Sequence, residues 1–208
     1  MSALDRYLAP SRFIDFDTPE VRDCARSLAA AASGATDIAR RCFEFVRDEI
    51  RHSADFRLNP VTCRASDELR HRTGFCYAKS HLLAALLRAN GIPAGLCYQR
   101  VSVGDGGAPY CLHGLNAVHL PETGWYRLDA RGNKPVVDAR FTPPVEALAF
   151  PIREAAERDL PEIWPAAPAA SGGGRSFTAA PVFASTPTAS CAGKRRAEPP
   201  ELPMPAAA

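Results

Sequence analysis

Cys76 is the residue whose position most favours chemistry, because it stands where a glycine-containing loop meets a long predicted helix. The loop carries Gly74, and the helix continues to Asn90. The first backbone N–H groups of a helix have no intrahelical partner, and together with the helix dipole they stabilise an anion. They therefore lower the pKa of a thiol there, and they could donate to the oxyanion of a tetrahedral intermediate. Cys76 is a candidate nucleophile; the alternative is a small buried apolar side chain.

A thiol nucleophile needs a base, and two of the five histidines lie in one predicted strand. His113 and His119 share a face of that strand because strand side chains alternate, and Asp129 lies on the next strand. If Leu120 pairs with Gly124, His113 is the diagonal neighbour of Asp129 on the same face, whereas a slip of one residue would break this arrangement. The arithmetic favours His113 over His119 only slightly. The other three histidines are interpreted as solvated or structural, with His52 and His71 in polar loops and His81 within the helix that Cys76 begins.

Cys76, His113 and Asp129 could together supply a nucleophile, a base and a carboxylate that orients the imidazole. Taken alone, Asp129 could as well be a solvated carboxylate at a turn. Metal binding is a rival use of the same region, since Cys111 is two residues from His113. No pair of cysteines or histidines has the C-x-x-C or H-x-x-x-H spacing of zinc sites, so we expect neither a metal nor a cofactor.

The elements that must position these residues change in kind halfway along the chain. The first half has apolar residues at helical spacing, with capping residues and glycines at the expected ends. The second half alternates like strands. Helices followed by a run of strands indicate an α+β fold rather than alternating α/β. The predicted helices are 17–34, 36–50, 66–69 and 76–90, and the predicted strands are 94–103, 112–120 and 124–130.

The charge of the chain argues against nucleic acid and membrane partners. Its 208 residues carry 25 Lys+Arg and 23 Asp+Glu, and the two signs balance within residues 1–164. A neutral body offers no electrostatic footprint for a polyanion or an anionic membrane. No stretch approaches the ~20 apolar residues of a membrane-spanning helix, and the first residues lack the apolar core of a secretory signal. We therefore expect neither partner, and the pattern carries no indication of an oligomeric state.

Composition also divides the chain into two parts. Residues 165–208 contain eight prolines and thirteen alanines, too few large apolar side chains to offset their ordering entropy, so we predict a disordered tail after a domain spanning residues 1–164. The seven cysteines form an odd set without C-x-x-C pairs. That set is typical of reduced thiols, and it predicts a cytoplasmic protein.

Several short sequences occur here in an order that resembles a known family. They are Gly74-Phe75-Cys76, residues 86–94 (LLRANGIPA), His113 followed by residues 117–120 (AVHL), and Gly124-Trp125 followed by Asp129. In this order, over about residues 65–130, they resemble the transglutaminase-like superfamily of papain-like cysteine enzymes. The helical sequence of residues 43–50 upstream is similar to that of a bacterial group within it.

This resemblance implies a fold, a site and a reaction. The fold would be papain-like, with N-terminal helices and a central Cys-bearing helix packed on an antiparallel sheet. The triad would be Cys76, His113 and Asp129, and His119 would lie in the strand interior. The expected enzyme is a cysteine peptidase or amidase that acts on a peptide or amide bond through a thioester. The alternatives are acyl transfer to an amine, as in transglutaminases, and a non-catalytic scaffold that binds proteins.

The chain departs from the family pattern at two places. Leu115 stands where the family often has a large aromatic residue, and no glutamine precedes Cys76 closely enough to serve as an oxyanion donor. The second oxyanion donor is therefore unassigned, and Gln99 and Tyr98 are the candidates that the strand after the helix offers.

Overall fold

A long central helix separates a group of helices from a four-stranded sheet in the computed structural model, which describes residues 2–104 and 106–168. A 3-10 turn at Asp5–Tyr7 precedes these elements. The helices are α1 (Pro19–Ala29), α2 (Ala35–Glu49), α3 (Ser53–Phe56), α4 (Ala65–His71) and α5 (Cys76–Ala89). The strands are β1 (Arg51–His52), β2 (Thr73–Gly74), β3 (Ala94–Ser102), β4 (Tyr110–Leu120), β5 (Gly124–Leu128) and β6 (Arg158–Asp159).

Helix α5 is the centre of the core, and its sequence explains why. Nearly all of its side chains are buried, including Leu82, Leu83, Leu86 and Leu87, so the helix is apolar on every side, as an enclosed helix must be. It packs against α1, α2 and α4 on one side and against β3 and β4 on the other. Gly91, at φ +72°, follows the helix in a left-handed conformation that glycine adopts without strain, which ends the helix where the sequence predicted.

The strands of the second half form one antiparallel sheet in the order β5-β4-β3-β6. Strands β4 and β5 pair Leu120 with Gly124, which is the register considered from the sequence. Because helices precede the sheet and the sheet is antiparallel, the expected α+β class is confirmed. Among the described residues no helix is long and apolar enough to cross a membrane.

Two of the short elements that were not predicted bear on the site. Strands β1 and β2 pair in parallel, with Arg51 opposite Thr73 and His52 opposite Gly74. The pairing brings the segment after α2 beside the segment that leads into α5. It also brings His52, which the sequence placed in a polar loop, next to the chain that carries Cys76.

The two ends of the described chain meet beside β3. Tyr7 donates its hydroxyl to the backbone oxygen of Ile163 (2.9 Å), and Leu96 exchanges backbone hydrogen bonds with Trp164. The buried guanidinium of Arg88, near the end of α5, donates to the backbone oxygens of Ala9, Ala94 and Pro165. One side chain thus holds both ends against the central helix. Residues 169–208 of the predicted tail lie outside the described residues.

Candidate active site

Cys76 is the first residue of α5, as predicted, and it is 4% exposed. Phe75 before it is extended and makes no side-chain cap, so the first N–H groups of the helix are left for another acceptor. The segment that enters the helix is fixed because β2 pairs with β1 immediately before it. The nucleophile candidate therefore sits at a defined point at the positive end of the helix dipole.

His113 and Asp129 are joined by a short hydrogen bond. Nε2 of His113 donates to Oδ2 of Asp129 at 2.7 Å, which leaves the other ring nitrogen of His113 for the thiol. Asp129 is fully buried and also accepts from the backbone N–H groups of Arg131 (3.1 Å) and Ala149 (3.1 Å). Because both of its oxygens are occupied, the carboxylate can hold the imidazole in one orientation and one tautomer.

Three donors converge on the sulfur of Cys76. They are a ring nitrogen of His113, a ring nitrogen of His52 and the backbone N–H of Gly114. Burial raises the pKa of Cys76, but the charge of His113 and these hydrogen bonds outweigh burial and lower it to about 5. Burial lowers the pKa of His113, whereas the charges of Asp129 and Cys76 raise it to about 10. The pair thus favours a thiolate beside an imidazolium, which is the reactive state of a thiol nucleophile.

Five cysteines are unbridged in the structure, and Cys76 is the one of these five whose thiol pKa is lowered. Burial raises the pKa of Cys24, and it raises the pKa of Cys42, Cys63 and Cys97 to between about 11 and about 12. Among these five thiols, only Cys76 has neighbours that reverse the effect of burial. The other four have the raised pKa that is typical of cysteines acting as small apolar side chains.

Three histidines other than His113 lie in surroundings that differ from those of the catalytic candidate. His119 lies in β4 with its ring edge-on to Trp125 (5.4 Å), away from the thiol. His81 is buried, is within hydrogen-bond distance of the backbone oxygen of Cys63 (2.8 Å) and stacks on Phe13. His71 is exposed at the end of α4. His71 and His81 are solvated or structural, as interpreted from the sequence, and His119, the weaker candidate for the base, is not the histidine that Asp129 binds.

The interpretation of His52 as a residue of a polar loop is wrong. His52 is 6% exposed, hydrogen bonds to Cys76 and meets the ring of Phe75 edge-on at 5.7 Å. The approach of His52 to Cys76 could not be predicted from the sequence, because it depends on a two-residue parallel pairing with a segment 22 residues further along. The only local signal is that His52 follows the end of an amphipathic helix.

Two buried ionisable side chains near the segment before Cys76 were also missed by sequence reasoning: Glu68 and Lys79. The Glu68 carboxyl is fully buried, makes no hydrogen bond within the described part of the chain, and lies against Gly74. Burial raises its pKa well above the ordinary value. Lys79 is buried too, and it donates to the backbone oxygens of Ile50 and Arg47. Burial lowers the pKa of Lys79 to about 8.

The two candidate oxyanion donors from the sequence have different surroundings. Gln99 donates its amide to the backbone oxygen of Phe150 (3.1 Å) and to Asp159 (2.8 Å), so it is occupied elsewhere. Tyr98 packs in the core, and its buried hydroxyl has no hydrogen-bond partner within the described part of the chain. Burial and the nearby charge of Cys76 raise the pKa of Tyr98, so this hydroxyl stays a candidate donor near the sulfur.

The loop after β5 is held by an ion cluster. Arg131 binds Asp55 through two hydrogen bonds (2.7 and 3.1 Å), and Lys134 binds the same carboxylate at 2.9 Å. Burial raises the pKa of Asp55, but these two cations outweigh the effect of burial and lower the pKa to about 2. The arrangement fastens the segment after Asp129 to helix α3. Within residues 2–104 and 106–168, no group of three or more metal-ligating side chains is found.

Comparison with known proteins gives a family and a fold. A family model described as the transglutaminase-like superfamily matches residues 22–130. No curated protein matches the chain. A proposed cysteine protease from Cytophaga hutchinsonii superposes with a TM-score of 0.53 and 19% identity, over 63% of this chain and 43% of the other.

Two further solved structures are similar over part of the fold. The periplasmic domain of TgpA from Pseudomonas aeruginosa has 21% identity and a TM-score of 0.44, over 61% of this chain and 46% of the other. A proposed protease from Parabacteroides distasonis has 14% identity and a TM-score of 0.41, over 72% of this chain and 30% of the other. The matched part of the chain spans less than half the length of each of these three proteins.

Proposed function

The chain belongs to the transglutaminase-like superfamily, and on that premise we propose that it is a cysteine hydrolase acting on a peptide or amide bond. Cys76 is the nucleophile, His113 the base and acid, and Asp129 the residue that orients His113. The observation that carries the proposal is the sulfur at the start of α5 with His113 beside it, backed by the 2.7 Å hydrogen bond from His113 to Asp129.

The reaction follows from the charge state of the pair. The Cys76 thiolate attacks the carbonyl carbon, and the carbonyl electron pair moves to oxygen. When the tetrahedral intermediate collapses, the C–N bond breaks and the imidazolium of His113 gives its proton to the departing amine. A thioester remains on Cys76. His113, now neutral, takes a proton from water as it attacks the thioester, and the carboxylic acid leaves with the thiolate restored.

The first test is selective alkylation of the full-length protein by iodoacetamide between pH 4 and pH 9, with each cysteine followed by mass spectrometry. Because the pKa of Cys76 is lowered to about 5 and those of the other four unbridged thiols are raised, Cys76 should be the one of these five that reacts at pH 6. Its rate should be level above pH 6 and fall below pH 5. His113→Ala should move this profile towards that of an ordinary thiol, and Cys97→Ser should leave it unchanged.

The second test concerns turnover and the fate of the acyl group. A peptide library and 4-nitrophenyl esters would be incubated with the protein in H₂¹⁸O, with and without a labelled primary amine. Hydrolysis places ¹⁸O in the product carboxylate, whereas acyl transfer places the amine in the product. Cys76→Ser should abolish both. A thiol that alkylates no faster than the other cysteines, with no turnover, would instead favour the non-catalytic scaffold.

The cellular location is part of the same proposal. We place the protein in the cytoplasm because its seven cysteines form an odd set without C-x-x-C pairs. Fractionation of cells that express the tagged full-length chain checks this, and recovery outside the cytoplasmic fraction would contradict it.

A further inference from the structure

The thiol has a second histidine beside it in addition to the proposed catalytic base. His52 ends β1 and pairs with Gly74 of β2, so the pairing fixes it relative to the two residues that lead into Cys76. Its ring is 6% exposed and is held by the edge-on ring of Phe75 at 5.7 Å. A buried imidazole in a fixed orientation beside the reacting atom is a built part of the site and is not a solvated loop residue.

The orientation of the ring identifies which nitrogen faces the sulfur. Nδ1 of His52 lies 3.7 Å from Oδ2 of Asp55 and has no hydrogen-bond partner among the described residues. His52 nevertheless hydrogen bonds to Cys76. The nitrogen that contacts the sulfur is therefore Nε2, at the far end of the ring.

The two histidines differ in charge. His113 hydrogen bonds to the carboxylate of Asp129, and the charge of that carboxylate raises the pKa of His113. The carboxylate near His52 is already neutralised, because Asp55 binds both Arg131 and Lys134. Burial lowers the pKa of His52, and Arg131 lowers it further, although the contact with Cys76 opposes this. His52 therefore remains a neutral ring, which can donate one proton in a hydrogen bond without competing with His113 as a base.

We propose that His52 is the second oxyanion donor of this site, an inference that rests on the proposed hydrolase function. As the bond forms between Cys76 and the carbonyl carbon, the carbonyl oxygen gains the electron pair. It accepts hydrogen bonds from Nε2–H of His52 and from the uncapped N–H groups at the start of α5. When the intermediate collapses, that electron pair re-forms the C=O bond while the amine leaves with the proton of His113. His52 keeps its own proton throughout.

The chemistry of the variants separates donation from other roles. His52→Gln keeps an N–H donor near the position of Nε2 but has no basic nitrogen, whereas His52→Ala removes the donor. His71→Ala is the matched control, since His71 is exposed at the end of α4. Circular dichroism and urea unfolding of each variant identify any that fails to fold, and His52→Gln keeps the inference testable if His52→Ala unfolds.

The decisive measurement compares two reactions of the same thiol. Alkylation by iodoacetamide forms no oxyanion, whereas addition to a peptide aldehyde forms a tetrahedral adduct with an oxygen in the proposed hole. His52→Ala should weaken aldehyde binding roughly tenfold or more, and ester or amide kcat/KM by about 10²- to 10³-fold, while the plateau alkylation rate stays within about threefold. His52→Gln should keep most of the aldehyde affinity, and His71→Ala should match the wild type in both reactions.

Several outcomes would overturn the inference. One is aldehyde affinity in His52→Ala equal to that of the wild type, and another is a wild-type protein that forms no aldehyde adduct. A His52→Gln variant as impaired as His52→Ala would make His52 a base. A parallel loss of alkylation would make it only a thiol activator. Because the aldehyde arm needs no turnover, failure of the proposed hydrolysis alone leaves a separate and readable result for His52.

Discussion

Asp129 is the single residue on which the charge state of the site most depends. It is fully buried, and its oxygens accept from His113 and from two backbone N–H groups. Burial raises the pKa of Asp129, but the charge of His113 and the three hydrogen bonds lower it overall. The carboxylate thus stays ionised where an isolated buried acid would not, and its charge is what keeps His113 protonated.

Asp129→Asn should remove that charge with little change of shape. An amide in this place must also turn its NH₂ towards one of the two backbone donors, so a hydrogen bond is lost. We expect the pKa of Cys76 to rise and kcat to fall by up to about 10⁴-fold, since the imidazolium is no longer stabilised or held in one tautomer. The pH profile of Cys76 alkylation and ester turnover measure the two effects.

The control for this change is Asp23→Asn, a carboxylate paired with Arg26 on the surface of α1, where both side chains are more than two-thirds exposed. An alkylation midpoint in Asp129→Asn equal to that of the control would contradict the role assigned to Asp129.

The positions of individual site residues could be predicted from the sequence where local features of the chain restrict them. One strand register predicted that His113 and Asp129 are neighbours, and the structure pairs Leu120 with Gly124 in that register. His52 had no such constraint. Its approach to Cys76 depends on the parallel pairing of β1 with β2, which no turn or periodicity near residue 52 specifies.

The contact between α5 and β4 brings the thiol and the imidazole together, because Cys76 begins α5 and His113 lies in β4. A Cβ placed on Gly114 would lie 3.0 Å from the Cα of Tyr77 and 3.3 Å from its N and Cβ. The strand therefore approaches the first turn of the helix as closely as it does because residue 114 has no side chain. That approach also lets the N–H of Gly114 reach the Cys76 sulfur.

Gly114→Ala should push β4 away from α5 by a few tenths of an ångström. We expect a loss of about 1–3 kcal/mol in the free energy of unfolding and a rise in the pKa of Cys76, because both donors on β4 move away. Urea unfolding and the alkylation profile measure these. Gly104→Ala is the matched control, since nothing lies within 4 Å of a Cβ there. Identical behaviour of the two variants would contradict the packing argument.

Glu68, on α4, lies against β2, and it should make the stability of the fold depend on pH. Its pKa is raised in the folded state, because burial favours the neutral acid. The stability that this contributes is fully present below the unfolded pKa of about 4.3 and is lost as the pH rises through the higher folded value. Glu68→Gln, which cannot ionise, should lack that loss.

The measurement is urea unfolding of both proteins at pH 5 and pH 7. The free energy of unfolding of the wild type should fall between these values relative to that of Glu68→Gln, by up to about 1.4 kcal/mol per pH unit. Glu20→Gln, exposed in the first turn of α1, is the control and should follow the wild type. Parallel pH dependence in the wild type and Glu68→Gln would refute a neutral Glu68.

Long helices and strands were predicted from the sequence, whereas the two-residue strands were not. Helix α5 begins and ends within a residue of its predicted bounds, because a run of leucines and the Gly91-Ile92-Pro93 stop both act locally. The three long strands were found for the same reason. The two-residue strands β1, β2 and β6 were not found, because pairs so short carry no periodicity and form only where distant segments already lie side by side.

Across the whole molecule, Arg88 joins parts of the chain that are far apart in sequence. Its guanidinium is buried and donates to Ala9, Ala94 and Pro165. Arg88→Lys keeps the charge, but a single ammonium cannot match a planar fork that serves three carbonyls. We expect a loss of about 2–4 kcal/mol in the free energy of unfolding, since buried carbonyls would be left unpaired.

Urea unfolding measures that loss, with Arg22→Lys on the exposed face of α1 as the control. The alkylation profile of Cys76 should not move, because Arg88 lies at the opposite end of α5. Equal stability of the two variants would show that the three hydrogen bonds contribute little. The predicted boundary at residue 164 remains a prediction; the contact from Arg88 to Pro165 lies just beyond it.

The meeting of the two chain ends has a topological consequence. Since Tyr7 contacts Ile163, and Arg88 binds both Ala9 and Pro165, a short linker could join the ends of the described fold, and new termini could be opened in the exposed loop between β3 and β4. Such a circular permutant would read His113, Asp129 and then Cys76 from its new N-terminus. We expect it to fold and to keep the low-pH alkylation of Cys76, because the site is defined by positions in space and not by order along the chain.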